Sequence, residues 1–443
     1  MSKSETLTSH TSIYLGDSLE ELDKLQENSI DSIVTDPPYE LNFMGKGWDN
    51  AGISFNTEIW SKCLRVLKPG GYLLAFGGSR TFHRIACAIE DAGFEIRDTI
   101  MWLYGSGFPK SMNLGKGIEA KLTTGSGNKT KFKNLEGTKV ESGNWGISKM
   151  SKEQGFRPTD YTYDKHLRTD VLKPTTDLAK QWQGWGTCLK PAFEPIIVAR
   201  KPFKGSLVDN VIKWGVGGIN IDECRVESSK EDIDKLNKEW DREWNTNYKS
   251  YAENVGGSAG FDYSNARTEN KGLSGRFPAN LILTYEQMTF DEVCGGFPNT
   301  KGNENIRHNK NDDSGSASRY FYCAKASKKD RDEGLEGFAE QQTTDGCIRS
   351  NSETARKFGA NSALRKNIHP TVKPTELMQY LVRLVTPKDG IVLDPFMGSG
   401  STGKACMYEN KEHNKNYRFI GIEKEKEYYE IAKQRIKNVD RLE

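Results

Sequence analysis

Gly390-Ile391-Val392-Leu393-Asp394-Pro395-Phe396-Met397-Gly398-Ser399-Gly400-Ser401-Thr402-Gly403-Lys404 decides the fold. An apolar, β-branched run stops at an aspartate, passes through a glycine-rich turn and continues as a helix from Ser401. The glycines permit positive φ and a close approach of backbone to ligand. The helix N-terminus offers unpaired N–H groups and a partial positive charge to an anion. In an open α/β sheet such a turn lies at the carboxyl edge of the strands, where ligands bind.

Outward from this turn the alternation continues. A helix over Thr375–Val385 precedes it, and the strand Arg418–Ile422 and a helix over Glu425–Ile436 follow. The later strand ends at Glu423, roughly 20 residues after the turn, where a carboxylate grips ribose hydroxyls in nucleotide-binding sheets. A phosphate-binding loop is the competing reading, because Gly398-x-x-x-x-Gly403-Lys404 has its spacing, but Ala405 stands where Ser or Thr must hold Mg²⁺. Near the N-terminus the strands Ser12–Leu15, Ser29–Thr35, Gly71–Phe76 and Phe94–Leu103 alternate with helices Leu19–Glu27, Phe55–Val66 and Arg80–Ala92. This is the pattern of a mostly parallel central sheet. The second of these strands runs into Asp36-Pro37-Pro38-Tyr39, a second turn at the same edge.

Between the two ends the pattern dissolves. The expected divisions are 1–114, 115–183, 184–204, 205–365 and 366–443, with Glu194–Arg200 as a strand that rejoins the sheet. In 115–183 basic residues outnumber acidic ones, and Phe132, Trp145, Phe156, Tyr161 and Tyr163 are interleaved with them. Such a stretch either contacts DNA or is a solvated insertion.

The 443 residues exceed one compact core. A net charge of +2 does not by itself reveal a nucleic-acid partner, so any basic footprint must be local. Mean hydropathy is −0.71, and no apolar run has the length of a membrane span. Eight scattered cysteines without a Cys-x-x-Cys pair indicate neither a zinc site nor a disulfide framework, so no metal is expected and a reducing cytoplasm is.

The two turns together resemble the motifs of beta-class DNA amino-methyltransferases, catalytic motif first and cofactor motif second, with a phage or prophage flavour in Arg319–Lys329. The resemblance implies a Rossmann-like methyltransferase fold with circularly permuted motif order and an inserted target-recognition region over 205–365. It implies S-adenosylmethionine as cofactor, with Asp394, Pro395, Phe396, Gly398 and Gly400 around its methionine part. Glu423 is implied at the ribose, Asp17 at the adenine, and Thr371 and Lys373 of His369–Pro374 at the carboxylate. Asp17 reads equally well as a helix cap. Asp36, Pro37, Pro38 and Tyr39 are the implied catalytic residues. Two acceptors, the Asp36 carboxylate and the Pro37 carbonyl, suit the two hydrogens of a weakly nucleophilic exocyclic amine. The prolines hold that carbonyl rigidly, and Tyr39 offers a face on which an extruded base stacks.

Double-stranded DNA is the implied partner, with Lys325, Lys328 and Lys329 as phosphate contacts and Tyr320 and Tyr322 packed in a core. Adenine N6 is the expected target, because cytosine-N4 relatives more often carry Ser at position 36. Cytosine N4 is the alternative and a P-loop NTPase the remote one. The tripeptide Glu253-Asn254-Val255 echoes cytosine-C5 enzymes, but their chemistry needs a Cys nucleophile after Pro, and no Pro-Cys occurs. The expected setting is a bacterial cytoplasm. Monomer and homodimer, and the existence of a restriction partner, stay open.

Overall fold

The computed structural model describes residues 3–41, 49, 51–104, 111–125, 174–226, 233–234, 275–283, 321–323, 325–343 and 363–441. The basic stretch from Lys129 to Lys173, Glu253-Asn254-Val255, Arg319 and Tyr320 lie outside them. The chain divides into two compact units, Met1–Gly105 with Phe193–Glu443, and Ser106–Ala192.

Among the described residues, the first unit is built on a ten-stranded sheet. Its strands are β1 (Lys3–Thr8), β2 (Thr11–Leu15), β3 (Ile30–Thr35), β4 (Leu67–Phe76), β5 (Glu95–Leu103), β6 (Phe193–Arg200), β7 (Leu281–Leu283) and β8 (Phe321–Tyr322), followed by β11 (Ile391–Asp394) and β12 (Arg418–Glu423). A separate ladder pairs β9 (Gln341–Thr343) with β10 (Ala363–Arg365). The spatial order is β1-β2-β12-β11-β3-β4-β6-β5-β7-β8, and only β1 and β6 run against the rest. The helices, in chain order, are α1 (Ser18–Asp23), α2 (Thr57–Val66), α3 (Phe82–Asp91), α4 (Leu114–Thr124), α5 (Asp177–Gln181), α6 (Leu207–Trp214), α7 (Lys328–Asp332), α8 (Thr375–Val385), α9 (Ser401–His413) and α10 (Lys426–Arg441).

Period-2 alternation feeds two apolar layers. Along β3 and β4, Val34, Leu74 and Phe76 join one cluster with α8, α9 and α10, while Ile33, Leu73 and Ala75 join the other with α1, α2 and α3. Every residue of β3 is buried, as a central strand covered on both faces requires. Three layers result, helices on sheet on helices.

Two expected boundaries shift for local reasons. The strand expected from Gly71 begins at Leu67, because Pro69-Gly70-Gly71 is not a break but part of a bulge. Leu67 pairs with Ile30, and pairing resumes only at Tyr72 with Ser32. Helix α1 ends at Asp23 rather than Glu27, and the chain turns through Asn28 at φ 53° into β3. Strand β1, too polar to read as core, forms as an edge hairpin with β2.

In the second unit, Glu119 of α4 accepts hydrogen bonds from Thr175 and Thr176 just ahead of α5. Burial pushes its carboxyl up, but those hydrogen bonds win and bring it down to about 2.

Candidate active site

β11 and β3 are neighbours, with Val392 opposite Ser32 and Leu393 opposite Ile33. From β11 the chain passes through α9 to β12 on one side, and from β3 through α2 to β4 on the other. The connections diverge, which opens a crevice at the carboxyl ends of these two strands. Both sequence turns lie there.

In the glycine turn, Gly398 and Gly400 sit at φ 55° and 79°, conformations that disfavour a side chain. Gly400 also lets α10 come close, since a Cβ there would lie 2.9 Å from that of Ala432. Gly400 is the N-cap of α9 and supplies no side-chain cap, so the first N–H groups of a 13-residue helix face the crevice uncapped. Arg435 of α10, fully buried, braces the turn by donating to the Ser399 carbonyl at 2.6 Å.

Asp394 is buried and engaged within the fold. Its carboxylate accepts from Thr35 Oγ1 (2.7 Å), Thr402 Oγ1 (2.6 Å) and the Phe396 N–H (3.1 Å), tying β3 to α9. Burial pushes its carboxyl up to about 6. The Pro395 carbonyl accepts from Ser18 Oγ at 2.5 Å, and the Phe396 ring leans on Trp60 at 6.2 Å. Glu423, at the end of β12, accepts from the Gly398 N–H at 2.8 Å, and burial pushes it to about 7. Asp17 caps α1 through Leu19 N (3.0 Å) and pairs with Lys424 at 2.9 Å. His369 packs edge-on against Tyr428 at 4.6 Å, and burial lowers its pKa to about 3. Thr371 is exposed.

Lys404, the lysine of the competing phosphate-loop reading, is fully buried and turned away. Its ammonium lies 2.8 Å from Asp330 and 2.5 Å from Glu333. It therefore cannot cradle phosphates at the turn. An uncapped helix N-terminus beside a buried carboxylate at the next strand end suits a ligand carrying both a carboxylate and a ribose. S-adenosylmethionine fits that donor set.

The second turn is rigid. Asp49 accepts from the N–H groups of Glu40 (2.9 Å) and Leu41 (3.2 Å), and Ser54 Oγ donates to the Pro38 carbonyl at 2.7 Å. Among the described residues no hydrogen bond uses the Pro37 carbonyl. Asp36 Oδ2 accepts from Lys373 Nζ at 2.6 Å, whereas Asp36 Oδ1 is buried and makes no hydrogen bond. The Lys373 ammonium also lies 3.4 Å from Glu194, and Tyr39 donates its hydroxyl to Glu194 at 2.9 Å. Lys373, read from sequence as a cofactor contact, thus stands on Asp36.

Burial and the Glu194 charge push the Asp36 carboxyl up against the pull of Lys373. For Lys373, burial acts downward, but the two carboxylates prevail and raise it. Lys325 lies 3.4 Å from the Tyr104 ring centroid, and the side chain of Lys328 is paired with Glu340 at 3.4 Å. Among the described residues no cluster of three or more His, Cys, Asp and Glu is arranged for a metal, and no helix is long and apolar enough to cross a membrane.

Three site residues carry no signal in the sequence. Glu194 opens an apolar strand, Arg435 lies in a charged helix, and Asp330 follows a run of basic residues. Only the fold brings them to the two turns.

A family model described as DNA methylase, of the N6/N4 type, matches residues 30–434. Type II methyltransferase M.HindIII of Haemophilus influenzae is 25% identical over 250 residues, 47% of this chain and 64% of that protein. Type II methyltransferase M.HpaI of Haemophilus parainfluenzae is 37% identical over 99 residues, 20% of this chain and 31% of that protein. The chain thus spans less than two thirds of either relative. Among solved structures, the PvuII DNA methyltransferase (cytosine-N4-specific) superposes with a TM-score of 0.38 at 14% identity, covering 97% of this chain and 86% of that one.

Proposed function

From the premise that this chain belongs to the N6/N4 DNA methylase family, we propose that it methylates adenine N6 in double-stranded DNA, on a base turned out of the duplex. The observation that carries the proposal is Asp36 Oδ1, a buried acceptor with no partner, at the crevice edge beside the glycine turn. A buried acceptor left unpaired is costly, so such an atom marks a place for a donor.

When bound, S-adenosylmethionine supplies a methyl group on a positively charged sulfur. The uncapped N-terminus of α9 would meet its carboxylate, and Glu423 its ribose. Asp17 stands on the next strand end, because the Gly16 N–H donates to the Glu423 carbonyl at 3.0 Å. Asp36 Oδ1 and the Pro37 carbonyl accept the two hydrogens of the target amine. That would free the nitrogen lone pair to take the methyl carbon as its bond to sulfur breaks, leaving S-adenosylhomocysteine, with the amine proton passing to Asp36 or water. Tyr39 presents the stacking face. Segment 205–365 would read the DNA site and segment 115–183 would touch its backbone.

Expression in a bacterial host lacking DNA methylation, followed by mapping of modified bases in its genome, tests the proposal. N6-methyladenine at one recurrent motif supports it. N4-methylcytosine moves the target to cytosine, and no modification by a chain that binds S-adenosylmethionine removes DNA as substrate.

A further inference from the structure

Building on that reaction, we propose that Lys373 and Glu194 are positioning residues for methyl transfer. They fix Asp36 with one oxygen on the ammonium and the other open to the amine, and they anchor Tyr39 beside it.

The four side chains form one chain of contacts about a buried Lys373, the other three part-buried: Asp36 to Lys373 at 2.6 Å, Lys373 to Glu194 at 3.4 Å, and Glu194 to the Tyr39 hydroxyl at 2.9 Å. They come from the end of β3, the segment ahead of α8, and β6. The Lys373 ammonium also lies 5.2 Å from the Tyr39 ring centroid and 4.9 Å from that of Phe76, which leaves it little room to swing toward the glycine turn. A carboxylate clamped through one oxygen has one orientation for the other, and pre-set acceptors need no reorganisation during reaction.

The charges around Asp36 are Lys373, Glu194 and Asp394, with the Tyr39 hydroxyl, while Tyr104 and Lys325 face Glu194. Removing the cation should make the Asp36 carboxylate harder to form. Removing Glu194's charge should make it easier.

The test pairs Lys373→Met and Glu194→Gln with the wild-type chain, measuring S-adenosylmethionine affinity by calorimetry and single-turnover transfer against pH. Both variants should keep cofactor affinity within about threefold and lose about a hundredfold in rate, the scale of a misplaced reacting group. The acid limb of the rate profile should move up in pH for Lys373→Met and down for Glu194→Gln, opposite shifts that general loosening would not produce. Rates that stay at the wild-type level, limbs that do not move, or a Lys373→Met variant that loses only cofactor affinity would each overturn the inference. If Lys373→Met does not fold, the Glu194→Gln limb decides alone. A wild-type chain that methylates no DNA removes the reaction and the inference with it.

Discussion

Asp36 and His369 make opposite demands on the solvent they are denied. Asp36 keeps an oxygen open, so Asp36→Ala should abolish methyl transfer while leaving cofactor affinity nearly unchanged. Retention of more than about a tenth of turnover, under about 1.4 kcal/mol on the barrier, in a radiolabelled methyl assay would refute its proposed role. His369 is neutral where it packs. Its pKa drops from 6.5 to about 3 in the folded chain, so unfolding takes up a proton as pH falls below 6.5. The stabilisation is complete above pH 6.5 and is lost as pH falls toward about 3. Urea titrations at pH 7 and pH 5 should show the wild-type chain losing more stability than His369→Gln over that interval.

Elements set the next scale, and the glycine turn is the most constrained of them. Gly400→Ala meets both positive φ and the Ala432 contact. It should cost about 1–3 kcal/mol in strain and weaken cofactor binding, as thermal melting with and without S-adenosylmethionine would report. What the sequence reveals at this scale follows from where the information is local. Helix α8 is readable to its ends because its apolar periodicity, Leu377, Leu381, Leu384, stands between Pro374 and Thr386. The bulge at Pro69-Gly70-Gly71 is not readable, since Pro-Gly-Gly alone reads as a break and only its pairing with β3 makes it strand. The Asp36 and Asp394 turns are visible because each follows its own strand. Glu194 is invisible because its meaning comes from Lys373, far along the chain. Lys404 misleads for the same reason: its spacing mimics a phosphate loop, and only Asp330 and Glu333 show where it points.

At the scale of the whole molecule, Asp330 joins what the chain order separates. It bonds Thr375 at the start of α8 (3.0 Å to the N–H), Lys404 of α9 (2.8 Å), and Arg435 of α10 through its carbonyl (3.1 Å). Asp330→Ala leaves a buried ammonium short of a partner and should cost about 3 kcal/mol, measured by denaturant unfolding. The cofactor-induced rise in melting temperature should shrink with it, because the lost carboxylate lies 2.8 Å from Lys404 of α9 and 3.8 Å from Arg435, which braces the turn. The adjacency of β3 and β11 has a temporal consequence as well. Asp36 is synthesised 337 residues before Lys373, and at about 5–20 residues per second the ribosome needs on the order of tens of seconds to cover that distance. Once β4 has emerged, β3 can pair with it on one side, but its other edge stays open until β11 is made. Until the ribosome has passed β11, a partly translated copy carries only the Asp36 half of the crevice and an unpaired strand edge that other chains can reach.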